Sequence, residues 1–496
     1  MDFNYLTWII FLPVAGSILI MLIPALSERA VKYTAAIFTF ISFALSLVLF
    51  INFDRSLADG VIQFTEKVSW IPALNAFYHL GVDGLSLPLV VLTAFLGFLC
   101  VLISWTVHLR TREYFAWLLL LETSILGVFC SLDLLLFFIF WEIEIIPMYF
   151  LISIWGSGRK EYSATKYVLY TLFGSAFMLA GILSVYFTTG SLSMLDIVNG
   201  GMESARVVIP AAAMFFLLFT GFAVKLPVFP VHTWLPDAHT DAPTAGSVML
   251  AGALIKMGGY GMIRLCVSMF PEVAKDYAPM LLTLAVISVL YGAALTLRQN
   301  DLKRMIAYSS VSHMGFVLLG IFALSKLSIT GAALQMVSHG LLTGLMFALA
   351  GLVIHNVGER DLRKLGGLVR QMPIITVVFS IAGLGSLGLP TTSGFAAEFL
   401  IFVGSFSSTM VSGAQLFTIL AAIGVVLAAG YILWMIQRAF YGPPLEQYNG
   451  VADASIVDRV YMFALVAMIM LIGIYPAVLT DVIKLGVQPI VSLLGG

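Results

Sequence analysis

Four ionisable side chains lie inside long apolar runs of the sequence rather than at their ends: Glu142, Lys225, Lys256 and Glu398. A charged side chain at the centre of a bilayer costs at least about 2.5–3.5 kcal/mol, so membrane helices rarely carry one without a use for it. The usual uses are ion pathways and proton relays. The presence of both signs therefore predicts that the chain conducts a small cation, above all H+, through its interior.

Lys225 stands two residues before Pro227, where a helix is expected to open. Burial disfavours a charged lysine and a nearby carboxylate restores its charge, so moving the carboxylate would make the lysine release H+. Driving one proton against ~180 mV takes about 4 kcal/mol. The alternative is that Lys225 reaches the membrane surface with its long side chain. Lys256 lies mid-span, where this alternative is harder to realise.

The carboxylate that tunes Lys225 is expected from the segment Trp141-Glu-Ile-Glu-Ile-Ile-Pro147. At 100° per residue, Glu142 and Glu144 point about 200° apart, so both cannot serve one partner. Glu142 is the predicted partner, and Glu144 should face a different helix. Glu122, on the preceding apolar run, is a further candidate without an assigned partner. A purely structural pair of buried carboxylates is the alternative.

His313 and His339 also lie mid-span, and Gln335 shares a helix face with His339 at the i, i+4 spacing. Imidazole titrates near neutral pH, which suits a hydrated proton relay. The sequence therefore predicts a line from Lys225 through Lys256 and His339 to Glu398. Histidines that only form hydrogen bonds between packed helices are the alternative.

The segment after Pro230 crowds four polar residues into one loop: His232, Asp237, His239 and Asp241. Their spacing matches no known metal-ligand signature, and a polar proton entrance with helix caps is favoured over a metal site. The three cysteines fit neither a disulfide framework nor an Fe–S or zinc site.

These residues must be positioned by membrane helices, because 60% of the 496 residues are hydrophobic and only 10% are charged. Soluble domains carry about 25% charged residues, and the net charge of −1 offers no basic field for nucleic acid. Runs of about 20 apolar residues span a bilayer. About fourteen are expected, making an all-α polytopic membrane protein: 3–24, 31–51, 85–107, 113–131, 133–155, 161–188, 207–230, 243–268, 277–297, 302–322, 328–355, 374–406, 415–440 and 458–482.

The distribution of basic residues and the positions of helix breakers indicate how these runs are arranged. With both termini outside, most of the 25 lysines and arginines fall in cytoplasmic loops, as membrane topology requires. Helix breakers also interrupt spans seven and twelve, at Pro227–Pro236 and Gly388–Gly394, which predicts two inverted five-helix repeats around a binding site. The expected units are 1–110 (helices 1–3), 111–270 (first repeat), 271–442 (second repeat) and 443–496 (helix 14). Two unrelated proline kinks are the alternative.

The block Gly221–Ser247, which contains Lys225-Leu-Pro-Val-Phe-Pro-Val-His-Thr-Trp-Leu-Pro-Asp-Ala-His239, resembles the signature of the antiporter-like subunits of respiratory complex I, which also resemble Mrp Na+/H+ antiporter subunits. The segments Trp141-Glu142 before Pro147, Leu254–Gly261 and Tyr308–Gly315 are similar to the same family, and the resemblance covers nearly the whole chain. Within the family, the acid at Glu398 and the short C-terminal end resemble the branch called subunit M or chain 4, since branches L and N carry lysine there.

The resemblance implies roles for individual residues and for partners. It implies that Glu142 is the essential acid, Lys225 the pumping lysine, Lys256 the central lysine and Glu398 the exit acid, with His313 and His339 on the axis between them. It further implies one proton channel per subunit, in a translocase of the bacterial plasma membrane driven by quinone reduction elsewhere. NADH, FMN, Fe–S clusters and quinone are expected in partner subunits, with no cofactor in this chain and sister subunits L and N beside it.

Two other functions stay open at the level of sequence. One is a stand-alone or Mrp-type cation/H+ antiporter subunit, and the other is a membrane scaffold with vestigial charges. No segment of the chain predicts a binding site for NADH, flavin or an Fe–S cluster, so an electron-transfer role for the chain itself is not expected.

Overall fold

The computed structural model describes residues 4–23, 26–57, 60–200 and 207–495. The helices and strands, in chain order, are α1 Tyr5–Leu22, α2 Glu28–Ile51, β1 Gln63–Ile71, β2 Ala76–Val82, α3 Leu87–Ile103, α4 Thr111–Cys130, α5 Leu134–Ile143, α6 Ile145–Trp155, α7 Lys160–Thr189, α8 Met194–Val198, α9 Ala211–Lys225, α10 Trp234–Asp241, α11 Thr244–Met249, α12 Lys256–Gly261, α13 Pro271–Leu297, α14 Leu302–Phe322, α15 Lys326–Val357, α16 Pro373–Ser386, α17 Ser393–Phe406, α18 Ala414–Ala439, α19 Ile456–Ile474 and α20 Ala477–Leu493. Short 3-10 turns occupy Pro72–Leu74, Leu368–Arg370 and Glu446–Tyr448.

The expected all-α membrane architecture is confirmed in the described part of the chain. Eleven helices there are long and apolar enough to cross a bilayer, counting α5 with α6 and α11 with α12 as single spans. The shorter apolar helices α3, α9 and the pair α16–α17 supply the remaining crossings of the fourteen expected. Positions 3 and 24, the ends of the first predicted run, lie outside the described residues.

Two elements were not expected from the sequence. The polar connection 52–83 contains the antiparallel hairpin β1–β2. The predicted run 458–482 is wrong at its end, because α19 stops at Ile474 and Pro476 separates it from a further helix, α20. Residues 477–482 therefore belong to α20, an amphipathic helix that packs on the corner between β2 and α3, where Gly84 meets the Val482 carbonyl and the Gly486 amide.

Backbone contacts gather these outlying elements at one end of the helix bundle, here called the hairpin side. The Leu132 amide donates to the His79 carbonyl at 2.9 Å, and the Gly60 amide donates to Leu485 at 2.9 Å. The loops rich in lysine and arginine meet at the opposite end, the basic side, where Arg360 contacts Asp301 at 2.7 Å. The charge bias of the sequence is therefore reproduced as a difference between two ends of the molecule.

The core of the bundle is formed by helices that are buried on every side, as expected for helices without a polar solvent-facing stripe. In α14 and α15, 94% and 89% of the membrane-length window is buried, against 28% in α2 and α19. The span from Thr244 to Val267 is equally enclosed and contains two π-helical turns, Leu250–Leu254 and Met262–Val267. Lys256 lies between these turns, which occur mostly at functional sites in proteins.

Both predicted helix breaks are present. Helix α9 ends at Lys225, and irregular backbone carries the chain to α10 at Trp234. Helix α16 ends at Ser386, and α17 begins at Ser393. Irregular backbone at this depth is tolerated only inside protein or beside a wet cavity. The two breaks agree with the repeat hypothesis, although the inverted repeat and the four predicted units stay predictions.

Candidate functional site

Lys225 forms an ion pair with Glu144, not with Glu142 as expected from the sequence. The Lys225 ammonium contacts Oε1 of Glu144, and the Tyr167 hydroxyl donates to the other oxygen of the same carboxylate. Lys225 is 1% exposed and Glu144 is 0% exposed, so the alternative in which the lysine reaches the membrane surface is wrong. The rings of Trp141 and Tyr167 lie 5.2 and 5.7 Å from the ammonium and complete its enclosure.

The expected partner of Lys225 is wrong because the sequence does not determine how the span that carries Glu142 and Glu144 is rotated about its own axis. Glu144 falls between α5 and α6 and faces the bundle interior. Glu142, about 200° away, is half-buried and lines a groove with Ile146, Tyr149 and Leu172. Its carboxylate still lies within electrostatic range of Lys225 and beside Ser175. Glu144 is therefore the direct partner of Lys225, and Glu142 acts on the lysine only through the longer-range electrostatic interaction.

Lys256 is fully buried at the centre of its span. Its ammonium donates to the Ala251 carbonyl within the first π-helical turn and contacts Nδ1 of His339 at 2.8 Å. The sequence placed these two residues next to each other in one line, and the structure brings them into direct contact. Lys256 is joined to the first pair by helix packing, since Gly258 leaves no room for a side chain against Phe222 and Leu226.

His313 stands between His339 and Glu398. The imidazole rings of His313 and His339 have centroids 5.7 Å apart, and Nδ1 of His313 lies 3.3 Å from Oε1 of Glu398. Gln335 donates to the same carboxylate oxygen at 3.4 Å. A cavity of about 10 Å³ lined by these four residues lies among them, close to the lower limit of the room that one water needs.

The second helix break positions Glu398. Gly388, in the break, has a φ of +80°, which favours glycine, and a Cβ added there would lie 3.1 Å from Oε2 of Glu398. The backbone of the break therefore packs closely against the Glu398 carboxylate. Both broken helices are used in the same way, because each brings an ionisable side chain to irregular backbone inside the bundle.

The prediction of one polar loop is wrong for three of its four residues, because Asp237, His239 and Asp241 lie on α10 and only His232 precedes it. The four residues have separate interactions. Asp237 pairs with Lys166 at 2.7 Å, and Asp241 accepts a hydrogen bond from Ser163 at 2.7 Å. His239 is stacked on Phe347 with centroids 4.6 Å apart. His232 packs against Tyr291 with centroids 5.3 Å apart. No group of three or more metal-ligating side chains occurs among the residues that the structure describes.

Glu122 is buried away from this line of residues. It faces Gly97 on α3, where a Cβ would lie 2.2 Å from the Glu122 carboxyl carbon, so glycine is needed there to accommodate the acid. One of its oxygens, Oε1, is buried without a hydrogen-bond partner.

Sequence reasoning missed several members of the site. Tyr167 and Trp141 enclose Lys225, while Ser386 and Tyr431 approach Nε2 of His313 at 3.2 and 3.5 Å. Aromatic and hydroxyl residues are common in membrane helices, so no spacing signal distinguished them. Only an ionisable residue at mid-span is unusual enough to be found from the sequence alone.

Chemically, the site is a series of proton donors and acceptors enclosed by apolar helices. Its carboxylate, ammonium and imidazole groups come from the α5–α6 junction and from α9, α12, α15, α14 and α17. Polar contacts of 2.8 to 3.4 Å join Lys256 to His339, and His313 and Gln335 to Glu398. Such an arrangement can hold and pass a proton.

Comparisons with known proteins identify the family to which the chain is similar. Residues 131–424 match the family model described as NADH:quinone oxidoreductase/Mrp antiporter, TM. NAD(P)H-quinone oxidoreductase chain 4 1 of Synechococcus elongatus is 42% identical over 97% of this chain and 90% of its own length. NADH-quinone oxidoreductase subunit M of Rhodobacter capsulatus is 38% identical over 99% and 96%.

Solved structures extend the similarity to the fold. A chain of respiratory complex I from Thermus thermophilus with bound NADH superposes with a TM-score of 0.88 at 27% identity and covers 99% of this chain and 100% of its own. A chain of the Mrp complex from Dietzia sp. has a TM-score of 0.85 at 18% identity, with full coverage of both chains. The second likeness concerns the fold alone.

Proposed function

Because the chain belongs to the NADH:quinone oxidoreductase/Mrp antiporter transmembrane family, we propose that it is a membrane subunit of a proton-translocating NADH–quinone oxidoreductase. In this role it carries H+ through its interior and belongs to the subunit M or chain 4 branch. The observation that supports this most directly is the buried series of ionisable groups from the Lys225–Glu144 pair to Glu398.

The Lys225–Glu144 pair is the switch of the proposed pathway. A proton on Lys225 is stabilised as long as Glu144 is ionised and in contact with it. Separating the pair leaves a buried charge without a counter-ion, which costs about 3–5 kcal/mol. That is the size of the step needed to move one proton against ~180 mV, about 4 kcal/mol. Glu142, which lies within electrostatic range of Lys225 without contacting it, is the second acidic group that acts on this proton.

From there the proton reaches the central residues. The end of α9 packs directly on Gly258, so a displacement of Lys225 is transmitted to the helix that carries Lys256. Lys256 then exchanges a proton with His339, whose ring faces His313, and His313 passes it to Glu398. Water in the small cavity joins the two rings.

The surroundings of the chain follow from the same proposal. Redox chemistry with NADH, FMN, Fe–S clusters and quinone takes place in partner subunits, and the sister antiporter-like subunits L and N lie beside this chain in the bilayer. The basic side faces the cytoplasm of a bacterium, as its lysines and arginines favour. The hairpin side and both termini face the periplasm.

The proposal is tested by Lys225→Ala and Glu142→Gln in the complete complex, reconstituted into proteoliposomes. Quinone reduction and the ΔpH that it generates are measured in parallel. Both variants should generate a smaller ΔpH per quinone reduced. Lys326→Ala, at an exposed position at the start of α15, is the matched control and should behave as wild type.

Unchanged pumping in both variants of an assembled complex would refute these roles and leave the scaffold function. An Mrp-type cation/H+ antiporter subunit is the other candidate, because the family description includes both kinds of protein. Copurification distinguishes the two, since a chain recovered only with antiporter homologues and without Fe–S subunits would favour the antiporter.

A further inference from the structure

The helix that carries Lys256 continues to a second buried charge that the pathway above does not use. Arg264 lies eight residues beyond Lys256, about 12 Å along the helix axis, with Tyr260 halfway on the same face. The Arg264 guanidinium contacts Asp83 at 2.5 Å, and its Nε donates to the Tyr260 hydroxyl at 3.3 Å. Arg264 is 12% exposed and Asp83 is 3% exposed.

Asp83 is held firmly in place at the corner between β2 and α3. Its Oδ1 accepts hydrogen bonds from the amides of Leu85 at 3.1 Å and Ser86 at 3.0 Å, which leaves Oδ2 for Arg264. The ion pair therefore joins the Lys256 span to the hairpin side of the molecule. It is a charge-assisted contact between two rigid elements.

Cavities lie at both ends of this one helix. On the hairpin side, a cavity of about 150 Å³ is lined by Asp83, Arg264 and Ser268 together with residues of α8 and α20. On the basic side, a cavity of about 490 Å³ includes Thr244, the first residue of α11. Each has room for several waters, at about 30 Å³ per molecule. Lys256 lies between them, with the ion pair on its hairpin side.

We propose that Arg264 is a charge barrier that closes the hairpin-side end of the Lys256 span to protons, with Asp83 as the counter-ion that holds it in position. This inference rests on the proposed function. A guanidinium stays protonated throughout the physiological pH range, and a fixed positive charge in a narrow polar passage repels a hydrated proton. Lys256 points away from this end, towards the Ala251 carbonyl, so its ammonium faces away from Arg264.

The barrier has a consequence that does not depend on quinone reduction. Without Arg264, protons should leak between the two cavities through Lys256 and Tyr260. Arg264→Met removes one positive charge and leaves Asp83 ionised, so at an axial separation of about 12 Å and an effective dielectric of about 20 the proton occupancy near Lys256 should rise by about tenfold. The passive collapse of an imposed ΔpH should therefore accelerate by about tenfold in Arg264→Met.

The experiment uses the complete complex in proteoliposomes with no electron donor, an imposed ΔpH and a pH-sensitive dye. Arg264→Met should leak, Arg264→Lys should restore a tight membrane because it keeps the charge, and Asp83→Asn should stay tight because the arginine is still charged. Adding Lys256→Met to Arg264→Met should abolish the leak. If Arg264→Met does not assemble, Arg264→Gln removes the positive charge, keeps a hydrogen-bond donor for Asp83 and should leak in the same way.

Three outcomes would overturn the barrier: no leak without Arg264, an equal leak in Asp83→Asn, which indicates a structural link, or a leak that survives Lys256→Met. These results are separate from the proposed function. That function fails if Lys225→Ala pumps normally, whatever the passive leak.

Discussion

Replacing Glu144 by glutamine removes the negative charge that Lys225 contacts while keeping a side chain of nearly the same shape. Because neither side chain reaches the surface, no water can take over the role of the carboxylate. Removing one partner of a buried pair costs about 3–5 kcal/mol, which disfavours the charged lysine by roughly two to four orders of magnitude. Lys225 should therefore hold its proton much less readily than in the wild type.

The expected result is a loss of proton transfer in this chain. The number of protons moved per quinone reduced should fall in Glu144→Gln, measured from the initial rate of ΔpH formation and of quinone reduction in the same proteoliposomes. Uncoupled quinone reduction reports whether the complex has assembled. Glu161→Gln, an exposed acid in the first turn of α7, is the matched control.

A graded variant makes this test more specific. Tyr167→Phe keeps the ring beside Lys225 but removes the hydroxyl that donates to Glu144. A buried oxygen left without its donor costs about 1–3 kcal/mol, so this variant should reduce the ratio less than Glu144→Gln does. A wild-type ratio in assembled Glu144→Gln would refute the ion pair as the switch and return that role to Glu142.

Two further predictions concern the later part of the pathway. His339→Leu should strongly reduce pumping with assembly retained, because it removes the acceptor of Lys256 at 2.8 Å; pumping at the wild-type rate would exclude the imidazole route. Gly388→Ala should lower the free energy of unfolding by about 1–2 kcal/mol, because alanine disfavours the positive φ. It should also reduce pumping, because its Cβ meets Glu398. Gly413→Ala has a similar φ of +77° but open space around its Cβ, so a pumping defect of equal size there would refute the specific role of the break.

The sequence by itself determined the membrane-length helices, the difference in basic charge between the two ends of the bundle and the positions of the two helix breaks. These follow from solvation, since a bilayer selects about 20 apolar residues and keeps irregular backbone in protein interiors. Most of the candidate side chains were found for the same reason, because an ionisable residue such as Lys256 is costly at mid-span. The hairpin β1–β2 and the helix α20 escaped this reasoning, because neither is an apolar segment of membrane length.

Only the tertiary structure decided which of these groups meet. Glu142 and Glu144 point about 200° apart around the helix axis. The packing of α5 and α6 against α7 and α9 turns Glu144, not Glu142, towards Lys225. The insertion of His313 between His339 and Glu398 depends in the same way on how α14 and α17 pack against α15. The sequence shows which ionisable residues are buried in apolar spans. The rotation of whole helices and the contacts between them determine which partner compensates each buried charge.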